Sequence, residues 1–157
     1  MSAKDLDEHE YAVVSVLSAL APFVHDVWAS PAPFPLRLPN VWHLASDVEG
    51  QLAGGTSVLR LLEALHPTAA VAGSPTDEAL DLIRELEPFD RGRYAGPVGW
   101  VDAAGDGEWA VALRSAQVEA DGRVTAYAGA GIVAGSDPDR ELAETSLKLR
   151  PITDAFR

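Results

Sequence analysis

The sequence contains no cysteine. Disulfides, thiolate nucleophiles and cysteine-ligated zinc or iron–sulfur centres are therefore excluded. No apolar run approaches the roughly 20 residues that cross a bilayer, and no basic-then-apolar leader precedes Asp5. The expected location is the cytoplasm, with no membrane partner. Basic residues are also scarce: 12 Lys and Arg stand against 24 Asp and Glu, a formal net charge of −12. A nucleic-acid partner normally needs a basic face, so none is expected. An anionic ligand must then be neutralised locally, by the few basic residues and a bound cation.

What is present suits one domain. The 157 residues are 47% hydrophobic and 23% charged, enough for a core and unlike a disordered chain. Ser2 followed by Asp5 resembles a capping box. Leu6, Val13, Leu17, Leu20 and Val24 recur at helical spacing, which predicts a helix from Lys4 to Ala21, closed by Pro22. The stretch WASPAPFPLRLPN holds four prolines, so it is extended rather than helical. VWHLASDVEGQL has strand character. GGTSVLRLLEALHP predicts a short helix capped by Thr56 or Ser57 and ended by His66-Pro67. Another is expected over Ser74 to Leu86, with Pro75 at its first position.

From Gly96 the pattern changes. PVGWVDA, EWAVALRSAQV and RVTAYAGAGIV alternate like strands, with GDG and ADG between them, and predict a three-stranded antiparallel meander. Asp137-Pro138 opens a last helix carrying ELAETSLKL. The class is α+β, an antiparallel sheet with packed helices.

Several constellations could carry chemistry. Asp5 and Glu8 lie three apart, as do Glu141 and Glu144, so each end helix can present paired carboxylates on one face. Such pairs suit Mg²⁺, which takes one or two carboxylates plus waters or substrate oxygens. They equally suit a helix dipole, or an ion pair between Glu144 and Lys148. Glycines 129, 131 and 135 in AYAGAGIVAGS lack the βαβ context of a dinucleotide loop. They leave room either for a ligand at the backbone amides or for tight packing. Arg114 interrupts an apolar strand and is a candidate carboxylate fork. His43 and His66 are acid–base candidates or ordinary polar residues, and neither sits in a metal-ligand spacing.

Together the segments SAKDLDEH, VWHLASDVEG, LHPTAAVAGSP, ELEPFDRGRYAGPVGW, GEWAVALRSA, YAGAGIVAGSDPDRE and ETSLKL resemble the C-terminal portion of the chorismate-utilising enzymes. They run in the family order from Ser2 to the end of the chain. LHPTAAVAGSP and YAGPVGW resemble the isochorismate synthases rather than the anthranilate and aminodeoxychorismate synthases, which favour PAGTVSGAPK-like and YGGAVGY segments. Salicylate synthases share much of the framework and remain an alternative.

The resemblance implies Mg²⁺ as cofactor and chorismate as substrate. It implies Glu8 and Glu144 as metal ligands, with Asp5 and Glu141 as flanking acids. Arg114 and Tyr94 would grip a substrate carboxylate, helped by amides near Gly129 and Gly131, with Lys148 close to that carboxylate and the metal waters. His43 and Thr68 would line the ring end, His43 being the catalytic candidate. The implied reaction converts chorismate to isochorismate, as in menaquinone or siderophore biosynthesis.

A departure accompanies the match. The family's basic lysine and acidic glutamate belong to segments upstream of the helix that starts at Ser2, so residues 1–157 are expected to form a partial chorismate-binding domain. Alone, the chain is expected to turn over little or nothing. Two partners follow as expectations: an N-terminal half of the domain, or a second copy paired through an exposed sheet edge. A non-catalytic binding or assembly module that reuses the fold is the alternative from another class.

Overall fold

The computed structural model describes residues 3–38 and 41–156, with side chains described for 6–37 and 42–156. The Ser2–Asp5 capping box and the side chain of Asp5 lie outside the described residues. Helix α1, Ala3–Leu20, lies one residue N-terminal to the predicted span at each end. Its half-buried positions include Glu8, His9, Ala12, Val13, Val16, Leu17 and Leu20, while Tyr11 and Val14 face solvent. The inward stripe thus starts with two polar residues and continues with apolar ones at helical spacing.

The proline-rich segment and its successor form a long ribbon. Strands β1 (Val24–Ala29) and β4 (Val48–Leu52) pair antiparallel, and β2 (Phe34–Leu38) and β3 (Val41–Ala45) pair antiparallel between them. Helix α2, Val58–Leu65, has the expected caps, with the Arg60 amide donating to the Ser57 hydroxyl and His66 closing the end. Helix α3, Ala69–Ala72, is a single turn that the sequence pattern did not announce. Helix α4 runs Thr76–Leu86, with Pro75 at its N-cap, one residue earlier in the helix than expected.

The expected meander is corrected. Strands β5 (Pro97–Val101) and β6 (Gly107–Val111) form one hairpin, and β7 (Ala116–Val118) and β8 (Val124–Ala126) form another. Between them the Leu113 amide donates to the Val111 carbonyl at 2.7 Å, and Arg114 takes φ 49°. Left-handed backbone cannot continue a ladder, so one long strand becomes a strand, a sharp turn and a second strand. The glycine run after β8 is not a strand. Helix α5, Pro138–Ala155, is capped by Asp137, which accepts from the Arg140 amide.

Helix α1 packs against α2, α3 and β3, and α5 reaches β8. Among the described residues the buried apolar ones are few: Ala72, Ala95 and Ile152. Trp28, Trp42 and Trp100 are each more than half exposed. The accessible surface is 11010 Å² for 16.6 kDa, against about 7,600 Å² for a compact monomer of that mass. The described strands form four separate two-stranded sheets, so many edges and faces are left uncovered. No described helix is long and apolar enough to cross a membrane.

Candidate functional site

The inward face of α5 is where chemistry gathers. Glu141 is 8% exposed, Glu144 and Lys148 are half-buried, and Ile152 is buried. These positions lie three, four and four residues apart, one stripe of the helix. Burying three charged residues in such a stripe is costly unless each has a counter-charge or ligand. The Lys148 ammonium supplies part of it, standing 2.6 Å from Oε1 of Glu144. It also donates to the Gly129 carbonyl at 3.0 Å.

Gly129 and Gly131 form the floor. A Cβ on Gly129 would stand 3.2 Å from the Tyr94 phenol oxygen. A Cβ on Gly131 would stand 3.0 Å from both Cδ and Oε2 of Glu8. Their lack of side chains is therefore what admits a phenol and a carboxylate to the backbone. Oε1 of Glu8 and Oε2 of Glu141 are both shut off from solvent. Helix α1 is held in place one residue later, where His9 Nε2 lies 2.8 Å from the Ser46 hydroxyl beyond β3.

Three cationic or basic groups face the same region. Burial first, and then the charges of Arg114 and Lys148, hold the His43 imidazole below its ordinary value of 6.5. Strand β3, the turn at Arg114 and helix α5 thus bring His43, Arg114 and Lys148 within electrostatic reach. Lys148 is already paired with Glu144, and the planar Arg114 guanidinium has the shape that forks onto a carboxylate.

Tyr94 is held from behind. Its ring stacks on Tyr127 at 5.3 Å with 15° between planes, and Tyr127 also meets Phe89 at 5.7 Å. The Arg91 guanidinium lies 5.7 Å from the Tyr94 ring centre. Burial pushes the Tyr94 phenol up, against the Arg91 charge, which pulls it down. Arg91 and Tyr127 were not singled out from sequence, although Arg91 sits four residues after Glu87 and three before Tyr94. Thr68 caps α3, the helix that packs on α1, and its side chain makes no capping bond. No described contact joins Thr68 to Tyr94, Arg114 or Lys148.

Among the described residues, no group of three or more His, Asp or Glu side chains stands ready to hold a metal ion. Glu8 and Glu144 are nevertheless hard oxygen donors, linked to one floor through Gly131 and through Lys148 and Gly129. Mg²⁺ commonly takes one or two carboxylates and fills its octahedron with waters and substrate oxygens. The donor chemistry fits that ion.

Comparison with known proteins yields a consistent set. A family described as chorismate binding enzyme matches residues 1–157. The isochorismate synthase DhbC of Bacillus subtilis is 47% identical over 156 residues, covering 99% of this chain and 39% of that protein. The solved structure of DhbC from Bacillus anthracis, assigned as a 2,3-dihydroxybenzoate-specific isochorismate synthase, is 45% identical. It superposes with a TM-score of 0.94 over 99% of this chain and 41% of that one. Anthranilate synthase component I from Streptococcus pneumoniae gives a TM-score of 0.85 at 30% identity, over 98% and 35%. The chain spans about two fifths of the DhbC proteins it matches.

Proposed function

This chain belongs to the chorismate binding enzyme family, and we propose on that premise that it holds chorismate, with Mg²⁺, for conversion to isochorismate. The observation that carries the reading is convergence. Glu8 of α1 stands at Gly131, Tyr94 before β5 and Lys148 of α5 stand at Gly129, and His43 of β3 feels the charges of Lys148 and Arg114. The similarity to DhbC supports isochorismate as the product.

In this reading Glu8 and Glu144 hold the ion, with Glu141 behind them. Bound Mg²⁺ supplies charge neutralisation and orientation for a substrate carboxylate. Arg114 forks onto a carboxylate, Tyr94 donates its phenol proton, and the amides near Gly129 and Gly131 complete the cradle. Lys148 screens the carboxylates from one another. His43 and Thr68 face the ring, and His43 is neutral at pH 7 and so able to accept a proton. The overall reaction places the hydroxyl of a water at C2, while the C4 hydroxyl takes up a proton and leaves as water and the double bonds shift, so one water enters, one leaves and the atoms balance as an isomerisation.

The chain spans about two fifths of the DhbC proteins it matches, and we propose that residues 1–157 act as a partial chorismate-binding domain, with little turnover alone. The uncovered strand edges and tryptophan faces favour completion by a polypeptide carrying the rest of such a domain. The same surface is the one observation that favours a purely binding or assembly role. The proposed location is the cytoplasm.

The test is to titrate chorismate into the pure chain by calorimetry, with Mg²⁺ and with EDTA, and to assay isochorismate by chromatography. Saturable binding in Mg²⁺ alone is expected. Turnover is expected roughly 10⁴-fold or more below an intact enzyme, the scale of lost acid and base catalysis. Turnover at an intact enzyme's rate defeats the partial-site reading. No binding under either condition defeats the chorismate reading.

A further inference from the structure

Arg91 lies outside the ligand-facing set, yet three elements meet at its guanidinium. Nε donates to Oε2 of Glu87 at 2.8 Å, and Nη2 to Oε1 at 2.5 Å, a two-pronged fork at the C-cap of α4. Nη1 donates to the Val71 carbonyl of α3 at 2.8 Å. The central carbon of the same group lies over the Tyr94 ring, 5.7 Å from its centre. Both partners of the ion pair are about three-quarters covered, so the geometry is fixed rather than rotating on the surface.

We propose that Arg91 is a positioning residue that sets Tyr94 against the Gly129 floor and ties it to α3, the helix capped by Thr68. The ligand arm of this proposal rests on the chorismate reading. The physical argument is one of shape. Helix α3 is a single turn and cannot hold itself in register, and the Tyr94 ring needs a lateral support besides Tyr127. A planar guanidinium can fork onto a carboxylate, reach a carbonyl and cover an aromatic face at once. A lysine ammonium is a point charge and can do only part of this. The distance between the two ends of the ligand site is therefore held through one side chain that touches no ligand.

The test uses Arg91→Lys, Tyr94→Phe and the double variant in the full chain. Each is measured for chorismate affinity in Mg²⁺ and for NOE contacts between the Tyr94 and Tyr127 rings. Arg91→Lys is expected to keep a dispersed amide spectrum, lose the ring contacts and bind chorismate about tenfold more weakly. If Arg91 works through Tyr94, the double variant binds no worse than Tyr94→Phe alone, a non-additive cycle. Losses that add, or an Arg91→Lys chain with intact ring contacts and unchanged affinity, overturn the proposal.

Glu87→Gln gives a second approach should the lysine variant fail to fold. It weakens the fork from its other side and is expected to loosen the same ring contacts with a smaller loss of affinity. Unchanged contacts in that variant count against the role. A wild-type chain that binds no chorismate removes the functional reading, while the ring contacts still decide whether Arg91 positions Tyr94.

Discussion

The carboxylate of Glu8 stands 3.0 Å from the point a Cβ on Gly131 would occupy. The obstacle to such a Cβ is the far end of a flexible side chain, not backbone. Gly131→Ala should therefore displace the Glu8 carboxylate without disturbing the fold. We expect a melting temperature close to wild type and Mg²⁺ affinity weakened about tenfold, about 1.4 kcal/mol. Calorimetric titration of Mg²⁺ checks it. A large loss of stability would show that Gly131 is a packing residue instead.

Arg114 and Lys148 depress the His43 imidazole after burial has done so. Arg114→Gln removes one positive charge, so the His43 titration, followed by NMR, should move upward. It should stay below 6.5, because burial is the larger cause and remains. The linkage follows in sign. A folded-state value below the unfolded one means the unfolded chain takes up the proton first as pH falls. The His43 contribution to stability is complete above pH 6.5 and drains away below it. A His43 titration that moves downward in Arg114→Gln would contradict this arrangement.

The α5 stripe depends on its first turn. The Asp137 carboxylate accepts from the Arg140 amide at 3.0 Å, and Pro138 follows at the first helical position. Asp137→Ala should cost about 1 kcal/mol, the usual value of an N-cap. A urea midpoint that falls with unchanged slope is the expected signature. Ligand affinity should fall with it, since Glu141, Glu144 and Lys148 all ride on that helix.

How much of this was legible in the sequence varies with how local the cause is. Helix α2 was readable to its caps because Ser57, His66 and Pro67 act on neighbouring amides. The start of α5 was readable for the same reason. The break at Arg114 was not, since a non-glycine residue in left-handed backbone leaves no mark in an alternating pattern. Nor was α3, where four residues are too few for periodicity. Glu8, Arg114, Gly129 and Gly131 were candidates from spacing and pattern, and the resemblance added Tyr94 and gave each a role; the described contacts set Glu8 at Gly131, and Tyr94 and Lys148 at Gly129. Arg91 was missed because its fork, its carbonyl and its aromatic partner come together only in three dimensions. The thin core was also invisible, since 47% hydrophobic residues say nothing of what covers them.

That thin core has its own consequence. A surface roughly 3,400 Å² above that of a compact monomer exceeds what one partner contributes to a standard interface, about 800 Å². The chain alone should bind a hydrophobic dye and show a urea slope shallower than its length implies, because little surface is gained on unfolding. Sedimentation across a concentration series should show association. A monodisperse monomer with a steep slope would mean that its faces are already covered.

The proposed chorismate site, floored by Gly129 and Gly131 and held through Mg²⁺, is tested most directly on the backbone amides of those two glycines, followed by ¹⁵N NMR as chorismate and Mg²⁺ are added singly and together. Both amides are expected to shift saturably when both are present, and chorismate alone, in EDTA, is expected to leave them in place. Amides that stay still with both present, or that shift equally without the metal, would contradict it.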